Sequence, residues 1–365
     1  MKPVRPRIAF YAPMKSPQHP RPSGDREIAR LTLRALTLAG FEPVLASELR
    51  SLELAGDPAA QMTMCTMAEH EIARLEQAFS PDPPDLWFTY HCYYKAPDLI
   101  GPQMAKTLDI PYVISEPSIS PNRRDGSWAE FSKRSEAAIE AADLLLWTTH
   151  RDRPALAASG YDAKMKQLPA FVDAGPMPLR SPRQTEQPVE LITVAMMRPG
   201  DKMESYRRLA DALGHLDVPW RLTIIGDGER RADVEGVFAR FGDRVRLIGQ
   251  IDDQNAIRQH LESADVFVWP GIGEGVGMVY LEAQAAGLPV VAEDHAAASE
   301  LVAEACTPPE DPRAYAGAIA RLVAPDAHLA ASKRARSHID MCHSMDSAAS
   351  TLRETLRETL TPLIR

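Results

Sequence analysis

A glycine-rich turn between two apolar segments constrains the fold of this chain most. The sequence FVWPGIGEGVGMVYLEAQAAGLPVVA at 267–292 places Gly271, Gly273, Gly275 and Gly277 within seven residues. The apolar run before the turn predicts a strand, the residues after the turn predict a helix, and the second apolar run predicts another strand. Two strands joined through a helix pair in parallel. The segment therefore predicts an α/β fold with a parallel sheet.

The same turn predicts a ligand site. Glycines let the backbone adopt positive φ and approach a ligand closely, and the N–H groups of the helix that follows suit a phosphate. Glu274 in the turn and Glu282 in the helix lie eight residues apart. Ionised carboxylates only accept hydrogen bonds, as sugar hydroxyls require, and ligands of open α/β sheets bind where the strands end. These features predict a sugar-nucleotide site. The alternative, an ordinary strand–helix turn with a solvated Glu282, is disfavoured by the glycine density and the second glutamate.

This segment resembles the donor-site signature of the family-four retaining glycosyltransferases, the glycogen-synthase-like "glycosyl transferases group 1", which have the GT-B fold. The family pattern E-G-x-G-x-x-x-x-E-A-x-A-x-G-x-P-V-V-A is matched by EGVG at 274–277 and EAQAAGLPVVA at 282–292. The resemblance implies two Rossmann-like, doubly wound domains facing each other across a cleft. It also implies that Glu282 holds the donor ribose and Glu274 the donor sugar. The neighbouring residues expected at the donor are Gly275, Val276, Gly277 and Met278.

Composition and length set the outer limits of this interpretation. The chain has 365 residues, 45% of them hydrophobic and 25% charged, which is typical of a soluble protein of two domains. The net charge of −9 disfavours nonspecific nucleic-acid binding. No apolar run approaches the roughly 18 residues that span a bilayer, so we expect a cytoplasmic protein.

Short apolar segments alternate with amphipathic ones through both halves of the chain. Four prolines without periodicity at 173–188 predict a linker. We therefore expect an acceptor-side domain at 1–172 and a donor domain at 189–343, and the resemblance implies that the last segment, 344–365, packs back on the first domain. Predicted strands lie at 8–13, 41–47, 86–91, 110–116, 142–149, 164–172, 190–197, 220–228 and 244–251, and predicted helices at 27–39, 68–79, 97–108, 204–216, 229–242, 254–263 and 344–364.

Cysteine and histidine spacing gives no sign of a metal site. Cys65, Cys92, Cys306 and Cys342 form no CxxC pair, and the ten histidines form no HxH or HExxH motif. We expect reduced thiols, no metal and no cofactor, with a nucleoside diphosphate sugar as the donor substrate.

Two cations follow the first strand of the donor domain. Arg198 and Lys202, after a Pro-Gly turn, predict a grip on a diphosphate, since arginine can bind phosphate oxygens bidentately and lysine adds a point charge. A solvated basic loop is the alternative. In the family an Arg and a Lys neutralise the leaving diphosphate. Here Ala195 and Met196 stand at the family's Gly-Arg positions, so Lys202 is the firmer assignment and Arg198 must reach from a shifted position.

Further donor-side candidates end neighbouring strands. Gly226 belongs to an IGDG turn that follows a strand, and the missing third glycine argues against a nicotinamide fingerprint. Ile251 closes the segment IGQI, where the family contacts the nucleobase through backbone groups. Gly24, in the segment PSGDR before the first helix, predicts a partial anion site, whereas Ser23 or Asp25 as an N-cap is an equally good and compatible interpretation.

The acceptor side is predicted from two strand ends. His91 ends the apolar strand LWFTYH, and Glu116 ends the next one. Family members often have a histidine at both places, so we assign a catalytic role to His91 and leave the role of Glu116 open. A purely structural histidine is the alternative. Tyr93 and Lys95 are further candidates for the acceptor pocket.

The sequence therefore predicts a retaining glycosyltransferase, acting without a metal, that moves a sugar to an unknown saccharide, lipid-linked or small-molecule acceptor. A sugar-nucleotide 2-epimerase and a non-catalytic nucleotide-sugar binding protein are the alternatives. Basic pairs at 123–124 and 133–134 suggest at most a weak peripheral contact with a membrane, and solvated helix and loop residues are the more ordinary interpretation.

Overall fold

The computed structural model describes residues 5–21, 23–175 and 187–361. The chain divides into two compact units. Unit 1 comprises Met1–Ala170 with Met345–Arg365, and unit 2 comprises Phe171–Ser344. The predicted linker at 173–188 lies largely outside the described residues, so its role stays a prediction.

Unit 1 is built on a parallel sheet of six strands in the order β2-β1-β3-β4-β5-β6. Its four central strands, Arg7–Tyr11, Leu86–Cys92, Tyr112–Pro117 and Leu144–Trp147, are almost entirely buried, as expected for the interior of a parallel sheet. The strands are β1 Arg7–Tyr11, β2 Glu42–Ser47, β3 Leu86–Cys92, β4 Tyr112–Pro117, β5 Leu144–Trp147 and β6 Met165–Gln167, and the helices are α1 Gly24–Leu38, α2 Pro58–Phe79, α3 Gly101–Leu108, α4 Ala129–Ala141 and α5 Arg153–Ala158.

Unit 2 repeats this architecture with a parallel sheet of five strands in the order β11-β10-β7-β8-β9. The chain moves outward from β7 in one direction and then returns to its other side, as in doubly wound folds. The strands are β7 Val189–Val194, β8 Trp220–Ile225, β9 Val245–Gly249, β10 Val266–Val268 and β11 Val290–Val291, and the helices are α6 Asp201–Leu213, α7 Arg231–Phe238, α8 Gln254–Ser263, α9 Met278–Ala285, α10 Ala296–Leu301, α11 Pro312–Leu322 and α12 Pro325–His338.

The last helix, α13 (Met345–Leu360), lies in unit 1 and packs on α1. Its Arg353 donates hydrogen bonds to the carbonyl oxygens of Ala39 at 3.1 Å and Leu38 at 3.0 Å. These are carbonyls that a helix leaves without intrahelical partners at its C-terminus, and a cation is favourable there. A five-residue π-helical turn, Ile339–His343, precedes α13.

The α/β class with two doubly wound parallel sheets is thus confirmed, whereas several predicted elements were too long. The predicted strand at 164–172 is only β6, and the strand predicted at 220–228 ends at Ile225. The helix predicted at 229–242 ends at Phe238 and is followed by a 3₁₀ segment, Ala239–Arg244, inside which Gly242 has a φ of 55°. Apolar periodicity locates elements well but leaves their ends uncertain.

Candidate functional site

In unit 2, the turn between β10 and α9 is shaped by glycines that make room for neighbouring side chains. Gly271 has a φ of 80°, and a Cβ atom there would lie 1.7 Å from the Tyr280 hydroxyl. Gly273 has a φ of 66°, and its Cβ would lie 2.0 Å from a carboxylate oxygen of Asp201. A Cβ on Gly275 would meet nothing within 4 Å. Gly275 is therefore the glycine of this turn with free space beside it.

Glu274 is the central charged group of this turn. Its Oε1 atom accepts hydrogen bonds from the ammonium group of Lys202, with which it forms an ion pair, and from Trp269 Nε1 at 2.9 Å. The carboxylate side chain is only 13% exposed. A buried carboxylate of this kind is tolerated when a cation and hydrogen bonds satisfy it. The structure thus brings two of the predicted donor-site residues, Glu274 and Lys202, together, and both hydrogen-bond donors meet one carboxylate oxygen.

Trp269 is a site residue that the sequence interpretation missed. The Lys202 ammonium nitrogen lies 5.4 Å from the centroid of the Trp269 ring, within range of a cation–π interaction. Trp269 is fully buried, and the Tyr206 ring contacts it edge-on at a centroid distance of 4.9 Å. Its place in an apolar strand is typical of a core residue. The available signal was its indole N–H, a donor that usually has a partner when buried.

The N-terminus of α9 begins beside Glu274 without a side-chain cap. Gly277 occupies the N-cap position in a left-handed conformation with a φ of 67° and a ψ of 40°. The first N–H groups of a helix have no intrahelical acceptor, so this end can bind an anion. The predicted donor residues Val276 and Met278 are half-buried here, and Glu282 is half-buried one turn further along α9.

The other donor-side candidates differ in their exposure and in their contacts with neighbouring residues. Arg198 is exposed and forms no ion pair or hydrogen bond with any described residue, in contrast to Lys202. Gly226 has a φ of 145°, and its Cβ would lie 2.0 Å from the carbonyl oxygen of Ala195. Its visible role is thus close packing of the chain segments that follow β7 and β8. Ile251 is half-buried just beyond the end of β9.

In unit 1, His91 and Glu116 occupy neighbouring positions at the carboxyl ends of β3 and β4. The register pairs Tyr90 with Ser115 and Cys92 with Pro117, which places His91 beside Glu116. Both have positive φ, 64° for His91 and 57° for Glu116. Positive φ is uncommon in non-glycine residues, and strained backbone of this kind is concentrated at functional sites.

His91 lies among carboxylates. Its Nδ1 atom is 3.6 Å from Oδ1 of Asp25 in α1. Burial alone would lower the pKa of His91, but the charges of Glu116 and Asp25 outweigh burial, and the pKa is raised. The pKa of Glu116 is also raised, chiefly by burial, although the nearby His91 opposes the shift. Asp152, shortly after β5, acts on both groups in the same direction. Asp25 and Asp152 were not predicted as members of this cluster.

The remaining candidates of unit 1 have distinct surroundings. The Tyr93 ring lies 4.9 Å from the His91 ring, and burial raises the pKa of Tyr93 to about 12. The Lys95 ammonium nitrogen lies 5.7 Å from the ring centroids of Tyr94 and Trp128.

The N-terminus of α1 follows the N-cap interpretation. Ser23 caps the helix by accepting a hydrogen bond from the Arg26 N–H at 3.3 Å, and Gly24 is an exposed first helical residue. Pro22, the first residue of the predicted PSGDR motif, lies outside the described residues.

Residues 5–21, 23–175 and 187–361 contain no group of three or more His, Cys, Asp or Glu side chains arranged to hold a metal ion. Within the same residues, no helix has the length and apolar character needed to cross a bilayer.

Comparison with known sequences finds a family model that matches part of this chain. Residues 188–325 match the family model described as "Glycosyl transferases group 1". The chain is 31% identical over 128 residues to the amylovoran biosynthesis glycosyltransferase AmsK of Erwinia amylovora, which covers 32% of this chain and 30% of that protein. It is 34% identical over 139 residues to a GDP-mannose-dependent alpha-(1-6)-phosphatidylinositol dimannoside mannosyltransferase of Mycobacterium tuberculosis, covering 36% of each. The matched segment thus spans about a third of these relatives.

Comparison with solved structures extends over the whole chain. Sucrose-phosphate synthase from Thermosynechococcus elongatus superposes with a TM-score of 0.72 at 18% identity and covers 98% of this chain and 100% of its own. HepE from Anabaena, in complex with UDP, superposes with a TM-score of 0.69 at 16% identity and covers 96% and 100%. At these identities the likeness establishes the fold, which is the GT-B fold expected from the sequence.

Proposed function

We propose that the protein is a retaining glycosyltransferase, since residues 188–325 match the family model of the glycosyl transferases group 1. It transfers a sugar from a nucleoside diphosphate sugar, bound by unit 2, to an acceptor bound by unit 1. The observation that carries the proposal is the arrangement of Glu274, Lys202 and the uncapped N-terminus of α9 around one glycine-rich turn.

The turn has the groups that a nucleotide sugar requires. Oε1 of Glu274 accepts from Lys202 and Trp269, whereas Oε2 has no hydrogen-bond partner among the residues described. This second oxygen is placed to accept a hydrogen bond from a sugar hydroxyl. The N–H groups at the start of α9 and the space beside Gly275 suit a diphosphate. By the family resemblance, Glu282 holds the ribose.

Catalysis on this proposal is mainly electrostatic. When the bond between sugar and diphosphate breaks, negative charge develops on the leaving oxygen. Lys202 lies beside Glu274, and exposed Arg198 has no competing partner in the described structure, so we propose that these two cations neutralise that charge. The acceptor attacks from the face that the diphosphate leaves, through an oxocarbenium-like transition state. We assign His91 to the acceptor, and we propose that the reaction needs no metal or cofactor.

The direct test is binding to the full-length protein. Nucleoside diphosphates and their sugars are screened by thermal shift, because a ligand that binds the folded state raises its melting temperature. We expect at least one matched pair of diphosphate and diphosphate sugar to stabilise the protein, and incubation of that sugar with acceptors to release the diphosphate. Lys202→Ala should weaken both ligands, whereas Glu274→Gln should weaken mainly the sugar-bearing one.

The exposed Lys333 provides the matched control, since Lys333→Ala makes the same change far along the sequence in α12. Absence of stabilisation by every nucleotide would contradict the proposal. Conversion of the donor to an epimer without acceptor would instead identify an epimerase.

A further inference from the structure

Ser205 is a polar residue on the buried face of α6, where its hydroxyl needs an explanation. Its side chain is fully buried, and the other buried residues of α6 are apolar or aromatic. Serine is less favourable than alanine inside a helix, and a buried hydroxyl costs free energy unless it is hydrogen-bonded. The hydrogen-bond partners of Ser205 therefore indicate what this residue does.

The Ser205 hydroxyl joins α6 to the β10–α9 turn. It donates a hydrogen bond to the carbonyl oxygen of Asp201, one helical turn earlier, at 2.9 Å. Its Oγ atom also accepts a hydrogen bond from the backbone N–H of Ile272 at 3.1 Å. A hydroxyl can make both bonds because it carries one donor and two acceptor sites. Ile272 lies in the turn, two residues before Glu274, so Ser205 ties the start of α6 to the backbone beside the central carboxylate.

Lys202 lies on the same part of α6. Residues three apart are neighbours on a helix surface, so Ser205 is adjacent to Lys202. The preceding residue, Asp201, packs against the turn, since a Cβ atom on Gly273 would lie 2.0 Å from its carboxylate. The Lys202 ammonium group forms its ion pair with Glu274 of the same turn. The distance between Lys202 and Glu274 therefore depends on how the start of α6 sits on the turn.

A second contact holds α6 in place independently of Ser205. Arg208, further along the helix, forms an ion pair with Oε2 of Glu293 at 2.8 Å, and the Glu293 side chain is only 4% exposed. The backbone N–H of Glu293 in turn donates to the carbonyl oxygen of Pro270 at 3.2 Å. We therefore expect loss of the Ser205 hydroxyl to shift the start of α6 while the helix stays folded and docked.

We propose that Ser205 is a positioning residue that holds Lys202 against Glu274. Its hydrogen bond with the Ile272 N–H fixes the start of α6 relative to the turn, and Lys202 faces the leaving diphosphate from that position. The consequence for catalysis rests on the proposed function. The effect of Ser205 on the pairing of Lys202 with Glu274 is a property of the folded protein and is measured without a ligand.

A double-mutant cycle measures the interaction between Lys202 and Glu274. Lys202→Met and Glu274→Gln are made singly and together in the full-length protein, and urea denaturation gives the unfolding equilibrium constant of each variant. The same cycle is repeated in the Ser205→Ala background. We expect a coupling of roughly tenfold in the unfolding equilibrium constant for the natural protein and about twofold or less with Ser205→Ala.

One control and one further variant make this cycle specific. Ser332→Ala makes the same change at another buried serine of unit 2, in α12, and should leave the coupling unchanged. Ser205→Cys keeps the shape of the side chain with a thiol that is only a weak donor and acceptor, so it should also reduce the coupling. Circular dichroism verifies that each variant is folded, and either folded variant of Ser205 suffices.

A kinetic cycle tests the consequence for catalysis with the donor that the binding screen identifies. Ser205→Ala should lower kcat/KM roughly tenfold in the natural protein, because small displacements of catalytic groups are costly. In the Lys202→Ala background the same change should cost about twofold or less, since its effect passes through Lys202. Equal losses in the two backgrounds would show that Ser205 acts independently of Lys202 and would overturn the proposal.

The ligand-free cycle can also overturn it. Absence of coupling in the natural protein, unchanged coupling in a folded Ser205 variant, or an equal loss of coupling in Ser332→Ala would each do so. Failure of the proposed function would appear separately, as absence of nucleotide binding, and would not affect the ligand-free cycle.

Discussion

The two units differ in the backbone conformation and the charged residues at the carboxyl ends of their strands. In unit 2 the positive φ values of the β10–α9 turn belong to glycines, and the central carboxylate, Glu274, has both a cation and an indole donor. In unit 1 positive φ is imposed on the non-glycine residues His91 and Glu116, and His91 lies among carboxylates. One strand end therefore has its positive φ values at glycines, where they cost little, whereas the other has them at charged residues.

This contrast shows where packing within the protein determines the backbone conformation of a strand end. The turn of unit 2 is fixed by packing, since side chains of Tyr280 and Asp201 fill the space that the glycines leave. In unit 1 the surrounding sheet holds His91 and Glu116 in their strained conformation. Backbone strain persists only when the surrounding structure enforces it. We infer that packing preforms the turn of unit 2, whereas unit 1 holds charged side chains in strained backbone. The following predictions challenge that comparison.

The largest expected effect concerns the charge of unit 2. Lys202→Ala removes the cation that would face the leaving diphosphate and leaves Glu274 with Trp269 as its remaining donor. Loss of one such electrostatic contact raises a barrier by about 3 kcal/mol, so kcat/KM should fall at least a hundredfold. We measure kcat/KM by the release of diphosphate from the donor that the binding screen identifies. A near-normal rate in this variant would remove Lys202 from the mechanism.

The next effect concerns packing of the turn. Gly271→Ala places a Cβ atom 1.7 Å from the Tyr280 hydroxyl at a φ of 80°. We expect a loss of about 2–4 kcal/mol in the free energy of unfolding, from overpacking together with left-handed strain. Gly275→Ala in the same turn meets no atom within 4 Å and should change stability by less than about 1 kcal/mol. Urea denaturation compares the two, and equal stabilities would show that packing does not fix this turn.

A smaller effect should isolate Trp269 as a positioning residue. Trp269→Phe keeps an aromatic ring and removes the N–H that bonds to Glu274 at 2.9 Å. Losing one hydrogen bond costs about 1 kcal/mol, or roughly fivefold in affinity. Because Glu274 is proposed to contact the sugar, calorimetry should show weaker binding of the diphosphate sugar and nearly unchanged binding of the diphosphate alone. Equal weakening of both ligands would indicate a general structural role.

The smallest effect is a pH dependence in unit 1. The pKa of folded His91 is raised above its usual 6.5, so its charged form stabilises the fold fully below pH 6.5, and this contribution disappears as the pH rises through the folded pKa. His91→Asn removes the charge and tolerates positive φ. The stability advantage of the natural protein over this variant should therefore decline from acidic to alkaline pH. An advantage that is constant or grows with pH would contradict the assigned charges.

The donor turn was largely predictable, whereas the meeting of Asp25, His91, Glu116 and Asp152 was not. Glycine spacing and the glutamate pair lie within one continuous segment, so their relation is local. Even there, the ion pair between Lys202 and Glu274 joins residues 72 positions apart. Trp269 was missed because its apolar context concealed its hydrogen bond. Arg198 was predicted beside Lys202, yet the structure leaves it exposed and without an ion pair to described residues.

What the sequence determined by itself is the class of fold and the location of the turn, because hydrophobic periodicity and the placement of glycine are short-range properties of the chain. What only the tertiary structure decided is which charges meet. Asp25, His91, Glu116 and Asp152 are scattered over nearly 130 positions and come together through the strand order β1-β3-β4-β5. Strand order depends on how helices and sheet pack as a whole, and no local pattern encodes it.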